Sequence, residues 1–326
     1  MLYLHGLGHF HPENQIDNAF LESLDIGTDS DWIVSRVGIK NRRTVLPLDY
    51  IRTTKNKDLR GAQEARLYSN AETGKRAAEL ALARAGLKAA DIGMVIAGDC
   101  SPDTCIPAEA SSIAKALGIE VPCFDLSSAC STFGAQIHFA GQLGMSLPDW
   151  VLLVVPENTT RITDFSDRSS AILFGDATAA AVVSTKHVSR VAATFTTFGG
   201  APSGADDVVI PRLGHFHQNG SAVQKFAIKR MSELLSQIQK RAGDRSGEVI
   251  YVGHQANLTM LEAVVRRCEV RPDRHQFNIV EYGNQAAAGA PVVMSQHWDS
   301  YQPGDRVACV VVGSGLSWSS VEFSWS

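Results

Sequence analysis

Asp149-Trp150-Val151-Leu152-Leu153-Val154-Val155 is answered about 155 residues later by Asp305-Arg306-Val307-Ala308-Cys309-Val310-Val311. Each is a short apolar run behind an acidic residue, the pattern of a strand buried on both faces. Stretches rich in small residues follow both runs, at 175–183 and 313–321. Upstream, residues 73–98 comprise an Ala/Leu-rich helix, a stop at Gly86 and the apolar run Met94-Val95-Ile96-Ala97. Residues 225–253 repeat that plan, with Arg241-Ala242-Gly243 at the break. The shared offset points to an internal duplication, although similar βα units also recur in any α/β chain. Between these landmarks, 107–117 and 131–143 read as helices and 123–126 as a short strand. The alternation predicts an α/β fold with substantial parallel pairing. Two halves follow, 1–184 and 185–326, packed as one unit because no Pro/Ser/Gly-rich linker separates them. The polar stretches 46–69 and 201–219 read as loops.

The 326 residues are 44% hydrophobic and 20% charged, which excludes disorder and allows a sizeable core. A net charge of -4 supplies no field for nucleic acid or an anionic membrane. No apolar run approaches the roughly 20 residues of a membrane span, and the N-terminus lacks a basic segment followed by an apolar one. Six cysteines without repeated spacing suit a reduced, cytoplasmic protein.

Three segments could carry chemistry. Cys130 stands in Asp125-Leu126-Ser127-Ser128-Ala129-Cys130-Ser131-Thr132-Phe133-Gly134, where a short strand feeds a helix. Helix N-terminal amides favour a thiolate there, and small neighbours leave room for an acyl chain; a buried hydrophobe is the competing reading. His254, in Gly253-His254-Gln255-Ala256-Asn257, follows a strand and could hydrogen-bond a developing oxyanion, or be structural. Asn284, in Tyr282-Gly283-Asn284-Gln285-Ala286, precedes an Ala-rich helix and offers a neutral donor or a helix cap. Gly313 and Gly315, in Gly313-Ser314-Gly315-Leu316, suit a tight turn whose amides approach a ligand, with the Cys130 and Gly315 amides forming an oxyanion hole; a plain turn is the alternative. The pairs His9/His11 and His215/His217 could gather on zinc, but no Cys or carboxylate spacing supports a metal. Cys100 and Cys105 read as packing.

Cys130, His254 and Asn284, in that order and spacing, make the sequence resemble the thiolase superfamily of condensing enzymes, and most closely β-ketoacyl-[acyl-carrier-protein] synthase III. The resemblance runs over nearly the whole chain, through Gly6-Leu7-Gly8-His9-Phe10-His11-Pro12-Glu13-Asn14, Ser30-Asp31-Trp32-Ile33-Val34-Ser35-Arg36, Asp164-Phe165-Ser166-Asp167-Arg168, Phe174-Gly175-Asp176 and the Trp318 turn. It implies a thiolase-like duplicated α/β/α/β/α layered fold, a homodimer, and acyl carrier protein as partner. Cys130 takes the acyl group, and His254 and Asn284 polarise the second thioester. Trp32, Arg36 and Arg161 match positions that hold coenzyme A, and Asn257 one near the pantetheine arm. Arg266 and Arg267 match the carrier-docking helix, and Ile106 the place where the dimer partner closes the acyl tunnel. Acyl thioesters of coenzyme A or phosphopantetheine are the substrates, with no further cofactor.

The sequence departs from the family at several points. The usual Gly-Asp-Gly-Ala-Gly turn reads Gly175-Asp176-Ala177-Thr178-Ala179, and the terminal triple glycine reads Gly313-Ser314-Gly315. Thr259 replaces an Arg of the docking helix, and 46–71 is longer than in housekeeping members. These changes touch the mouth and walls of the tunnel and point to a relative from fatty-acid or polyketide-type specialised metabolism. The activity expected is Claisen condensation between the Cys-bound chain and a second carrier-bound thioester. Non-decarboxylative joining of two β-ketoacyl chains, as in pyrone formation, and ester- or amide-forming transfer use the same residues. A thiolase would carry a second cysteine in the final turn, where Val312 precedes Gly313. An elongating synthase would carry a second histidine, where Asn284 stands.

Overall fold

A computed structural model describes residues 1–326. Its centre is a nine-stranded sheet built from β1 (Leu2–Phe10), β2 (Met94–Ala97), β3 (Cys123–Asp125), β4 (Val151–Glu157), β5 (Ala177–Ser184), β6 (Val191–Gly200), β7 (Ile250–Gly253), β8 (Arg306–Gly313) and β9 (Ser317–Trp325). The order is β7-β8-β9-β6-β1-β5-β4-β2-β3. Around the central antiparallel β1/β6 contact, the two sides repeat. β1/β5 and β5/β4 are antiparallel and β4/β2 parallel; β6/β9 and β9/β8 are antiparallel and β8/β7 parallel. The parallel β2/β3 pair has its echo in a single parallel bridge from Tyr251 to His275. Parallel pairing is therefore confined to the outer strands and is less extensive than the βα alternation suggested. β8 and β9 are joined by a tight turn and β4 and β5 by a longer connection, whereas β1 pairs with β5 and β6, and β6 with β9, across long stretches of chain.

Seven helices position the site: α1 (Ser30–Val37), α2 (Asn70–Ala85), α3 (Glu109–Leu117), α4 (Thr132–Leu143), α5 (Gly220–Ala242), α6 (Leu258–Arg267) and α7 (Gly289–Gln296). α2 starts at a Ser69/Glu72 capping box and stops at Gly86, whose φ of 69° ends the helix in the left-handed conformation. Its Ala77, Ala78, Ala81 and Leu82 lie flat on the strands. Gly6 and Gly8 of β1 permit this approach, since a Cβ at either would strike the carbonyl oxygen of Ala81 or Ala77. The apolar core forms three layers. One lies between α2/α3 and the strands of the first half, and another between α5/α6 and those of the second. The third encloses α4 and α7 between strands of both halves. This is the layered α/β/α/β/α fold, with α4 and α7 as its buried inner layer.

Two expected loops differ. Residues 46–69 contain short helices, Leu48–Thr54 and Leu59–Ala65. Their polar composition hid single inward residues, Ile51 and Ala62, and an Asp58 cap. Residues 201–219 hold a 3-10 turn and a two-residue pairing of Val208–Val209 with His217–Gln218.

Candidate active site

Cys130 lies two residues before the first turn of α4, reached from β3 through Ala129 in the left-handed conformation (φ 46°). Ser131 Oγ donates to Ser128 O, and Thr132 Oγ1 accepts from Ser128 N at 2.8 Å, so the turn is tied on both sides of the sulfur. The Asn284 turn carries the same backbone device, Ala286 at φ 46°, ahead of α7. Aligned on these two alanines, Asn284 falls three residues before the position matching Cys130, a looser correspondence than the sequence offset implied. Asn284 is clamped through its backbone: its N–H donates to Leu173 O at 2.8 Å, and its carbonyl accepts from Gly175 N at 3.0 Å. Its Oδ1 accepts from Ala286 N at 3.0 Å, as a helix cap would. That bond orients the amide and leaves the Nδ2 hydrogens as its remaining donors. His254 follows β7, where its N–H donates to Val310 O at 2.9 Å, and its buried Nδ1 has no hydrogen-bond partner. Gln255 locks this turn to the segment leading to Asn284, its Oε1 accepting from Asn278 N (3.0 Å) and Ile279 N (3.2 Å).

Cys130, His254 and Asn284 converge on one cavity, together with Gly313, Ser314 and Phe226. A second chamber of ≈ 240 Å³ also meets Cys130 and shares Phe174, Val208, Phe216 and Ser314 with the first. Cys100, read from sequence as packing, is instead on its wall, whereas Cys105 is exposed. The Cys130 thiol is pulled well below its usual range, chiefly by hydrogen bonding from the Cys100 thiol and then by the adjacent His254, against the desolvation of its site. The same hydrogen bond and burial push Cys100 upward. Behind Cys100, the buried Glu157 carboxyl accepts from the backbone N–H groups of Cys100 (3.2 Å) and Ala287 (3.3 Å), and burial raises it well above the carboxylate range. One side chain thus joins the loop beside the nucleophile to the turn that carries Asn284.

Trp32, Arg36 and Asn257 line a groove of ≈ 410 Å³ that runs to Asn284. Asn257 also caps α6, accepting from Met260 N at 2.8 Å. Arg161 is not in this groove. Its buried guanidinium is consumed by Asp103, Asn70, Gln63 and the Ser101 carbonyl, so the expectation that it holds coenzyme A is corrected: it is an internal brace. The residue missed is Arg168, whose guanidinium lies 5.0 Å over the Trp32 ring while Arg36 lies 5.7 Å from it. The signal was position: Arg161 stands four residues beyond a strand buried throughout, whereas Arg168 follows a helix-capping Asp167. Gly313, Ser314 and Leu316 line the cavity, and Gly315 between them makes the bend of this turn at φ 121°. Ser314 Oγ donates to Val208 O at 2.6 Å. Arg266 and Arg267 are exposed at the end of α6. Ile106 is 85% exposed and lines neither chamber. The four histidines considered for zinc are engaged separately, His9 with Ser295, His11 with Gln285 and His215 with the Asn56 carbonyl, while His217 sits in the short pairing with Val209.

Residues 124–199 match the family model for 3-oxoacyl-[acyl-carrier-protein] synthase III, and 240–325 match the model for its C-terminal part. The chain is 30% identical to β-ketoacyl-[acyl-carrier-protein] synthase III of Symbiobacterium thermophilum, over 98% of this chain and 97% of that one. This chain belongs to the β-ketoacyl-[acyl-carrier-protein] synthase III family. The Bacillus pumilus member is likewise 30% identical, over 98% and 97% of the two chains. The crystal structure of the Aquifex aeolicus synthase III superposes with a TM-score of 0.88 at 25% identity, covering both chains completely. Synthase III membership accounts for the layered fold. Two further solved structures, the tetronic acid condensing enzyme AbyA1 (18% identical, TM-score 0.85) and Xanthomonas campestris OleA with bound lauric acid and lauroyl-CoA (20%, 0.83), share the fold.

Proposed function

We propose that this synthase III relative performs a Claisen condensation in fatty-acid or polyketide biosynthesis, with Cys130, His254 and Asn284 at the reaction centre. The supporting observation is their convergence on one cavity fed by the Trp32 groove. In the first half-reaction the Cys130 thiolate attacks an acyl thioester, and the departing thiolate of coenzyme A or a carrier takes up a proton. In the second, a carboxylated thioester loses carbon dioxide, and the enolate oxygen is held by the His254 imidazole and the Asn284 Nδ2. The enolate carbon attacks the Cys130 thioester, which releases the β-ketoacyl product and restores the thiolate. The Cys130 amide and the turn at Gly313 and Ser314 face the tetrahedral oxyanion. The reaction as proposed calls for no cofactor beyond the substrate thioesters.

Acyl carrier protein docks, in this reading, beside the exposed Arg266 and Arg267, where local positive charge favours an acidic partner despite the net charge. Trp32, Arg36 and Arg168 hold the coenzyme A or pantetheine end. A second copy of the chain covers Ile106, whose exposure supports a homodimer. Six free cysteines suit the cytoplasm, and no helix is long and apolar enough to cross a membrane.

The test separates the half-reactions. His254→Ala and Asn284→Ala are expected to self-acylate normally but to lose condensation with malonyl-carrier protein by a factor on the order of 100–1000. Trapped carbon dioxide should match product in the wild type. Condensation at full rate in both variants would contradict the assignment; product without carbon dioxide would establish the two-chain, non-decarboxylative reaction instead.

A further inference from the structure

The chamber beside Cys130 is walled mostly by carbon: Phe174, Val208, Ile210 and Phe216 among others. A plain alkyl chain would need nothing more. Yet Asp99 and Thr159 also line it, and both are more than nine-tenths buried. Asp99 Oδ1 and Thr159 Oγ1 have no hydrogen-bond partner in the protein. Buried polar atoms are otherwise paired in folded proteins, and an orphaned one against a hydrocarbon ligand is costly. The backbone around them is settled: Asp99 O accepts from Ser127 Oγ at 2.6 Å, and Thr159 O from Thr163 Oγ1 at 3.0 Å. Asp99 Oδ1 and Thr159 Oγ1 are thus the unpaired atoms of a fixed frame. Asp99 precedes Cys100, the neighbour of the nucleophile, so the polar site lies near the thioester end of a bound chain.

We propose that the acyl group carried by Cys130 bears an oxygen function, a hydroxyl or keto group within its first few carbons, recognised by Asp99 and Thr159. This deepens, and rests on, the condensing-enzyme reading. Burial and the nearby Glu109 raise Asp99 well above the carboxylate range, which favours the protonated carboxyl that can donate to a keto oxygen or hydroxyl. The Thr159 hydroxyl can donate or accept. A site built to hydrogen-bond a substrate oxygen discriminates far more strongly against the analogue lacking it than an apolar wall discriminates between chain lengths.

The experiment measures the rate at which octanoyl-, 3-oxooctanoyl-, 3-hydroxyoctanoyl- and 5-hydroxyoctanoyl-coenzyme A add mass to Cys130. At least one oxygenated chain is expected to exceed octanoyl by roughly 100-fold or more. Thr159→Val, which keeps shape and removes the hydroxyl, is expected to cut that preference about tenfold by slowing the oxygenated chain. Asp99→Asn, which keeps a donor, should retain more of it than Asp99→Leu. Equal rates for plain and oxygenated chains, or an unchanged preference in Thr159→Val and Asp99→Leu, would overturn this proposal alone. Absence of acyl mass on Cys130 with every thioester would overturn the condensing-enzyme reading and this proposal with it.

Discussion

At the scale of single residues, the reactivity of Cys130 rests on what faces it. A half-buried thiol in an apolar chamber would ordinarily hold its proton. Here the neighbouring Cys100 thiol and His254 favour the thiolate, and together they outweigh desolvation. Because the folded site favours the thiolate, Cys130 should react across neutral pH, and removing Cys100 should move its titration upward. In Cys100→Ala, the pH profile of iodoacetamide alkylation at Cys130 is expected to shift to higher pH, with the rate at pH 7 falling several-fold. A profile identical to wild type would show that Cys100 is packing and no more. Cys130, His254 and Asn284 were each legible as candidates from their local sequence, behind a strand or ahead of a helix, whereas their joining in one site came from the family resemblance. Arg161 was misread, since nothing local shows that Asn70, Asp103 and Gln63, all from remote segments, close around it. Cys100 was misread for the same reason, its meaning depending on a loop that folds back beside a residue 30 positions later.

At the scale of elements, the departures from the family's glycine turns fall where two elements meet the nucleophile. Gly313 ends β8, and a Cβ there would come within 2.9 Å of Cys130 N, 3.0 Å of Ser131 N and 3.1 Å of Ser128 O. No flexible side-chain end can yield; the backbone of the nucleophile turn would have to shift. Gly313→Ala is therefore expected to slow Cys130 acylation by roughly 10–100-fold, from about 1–3 kcal/mol of overpacking concentrated at the turn. Gly247→Ala, whose Cβ meets nothing, serves as the control and should acylate normally. Acylation by Gly313→Ala at the control's rate would mean that the turn does not bear on the sulfur. The other altered turn is held by its own polar bonds: Asp176 accepts from Thr160 N and Val45 N, each at 2.8 Å. It also fixes Gly175, which clamps Asn284. Sequence pattern located the helices α2 and α4 within a few residues, because capping residues and Ala/Leu periodicity are local. The helices within 48–65 escaped it, since their stability comes from one or two inward residues rather than an amphipathic face.

At the scale of the molecule, duplication explains why the site lies at the middle. The two halves meet along β1/β6, and the inner helices α4 and α7 arrive from opposite halves, each behind a left-handed alanine. One half brings the nucleophile and the other both hydrogen-bonding residues, while Glu157 bridges them through the amides of Cys100 and Ala287. The offset between Asp149 and Asp305 carried this symmetry in the sequence, because buried strands must stay apolar in both copies. The extent of antiparallel pairing was not legible, since strand order is set by the connections rather than by any strand's composition. The central claim is that Cys130 carries the acyl group, and mass spectrometry of the intact protein and its peptides after incubation with acyl-coenzyme A or acyl-carrier protein tests it most directly. The prediction is one acyl mass on the peptide spanning 127–134 in the wild type and none in Cys130→Ala; acylation on Cys100 or another residue, or a Cys130→Ala protein that still acylates and turns over, would contradict it.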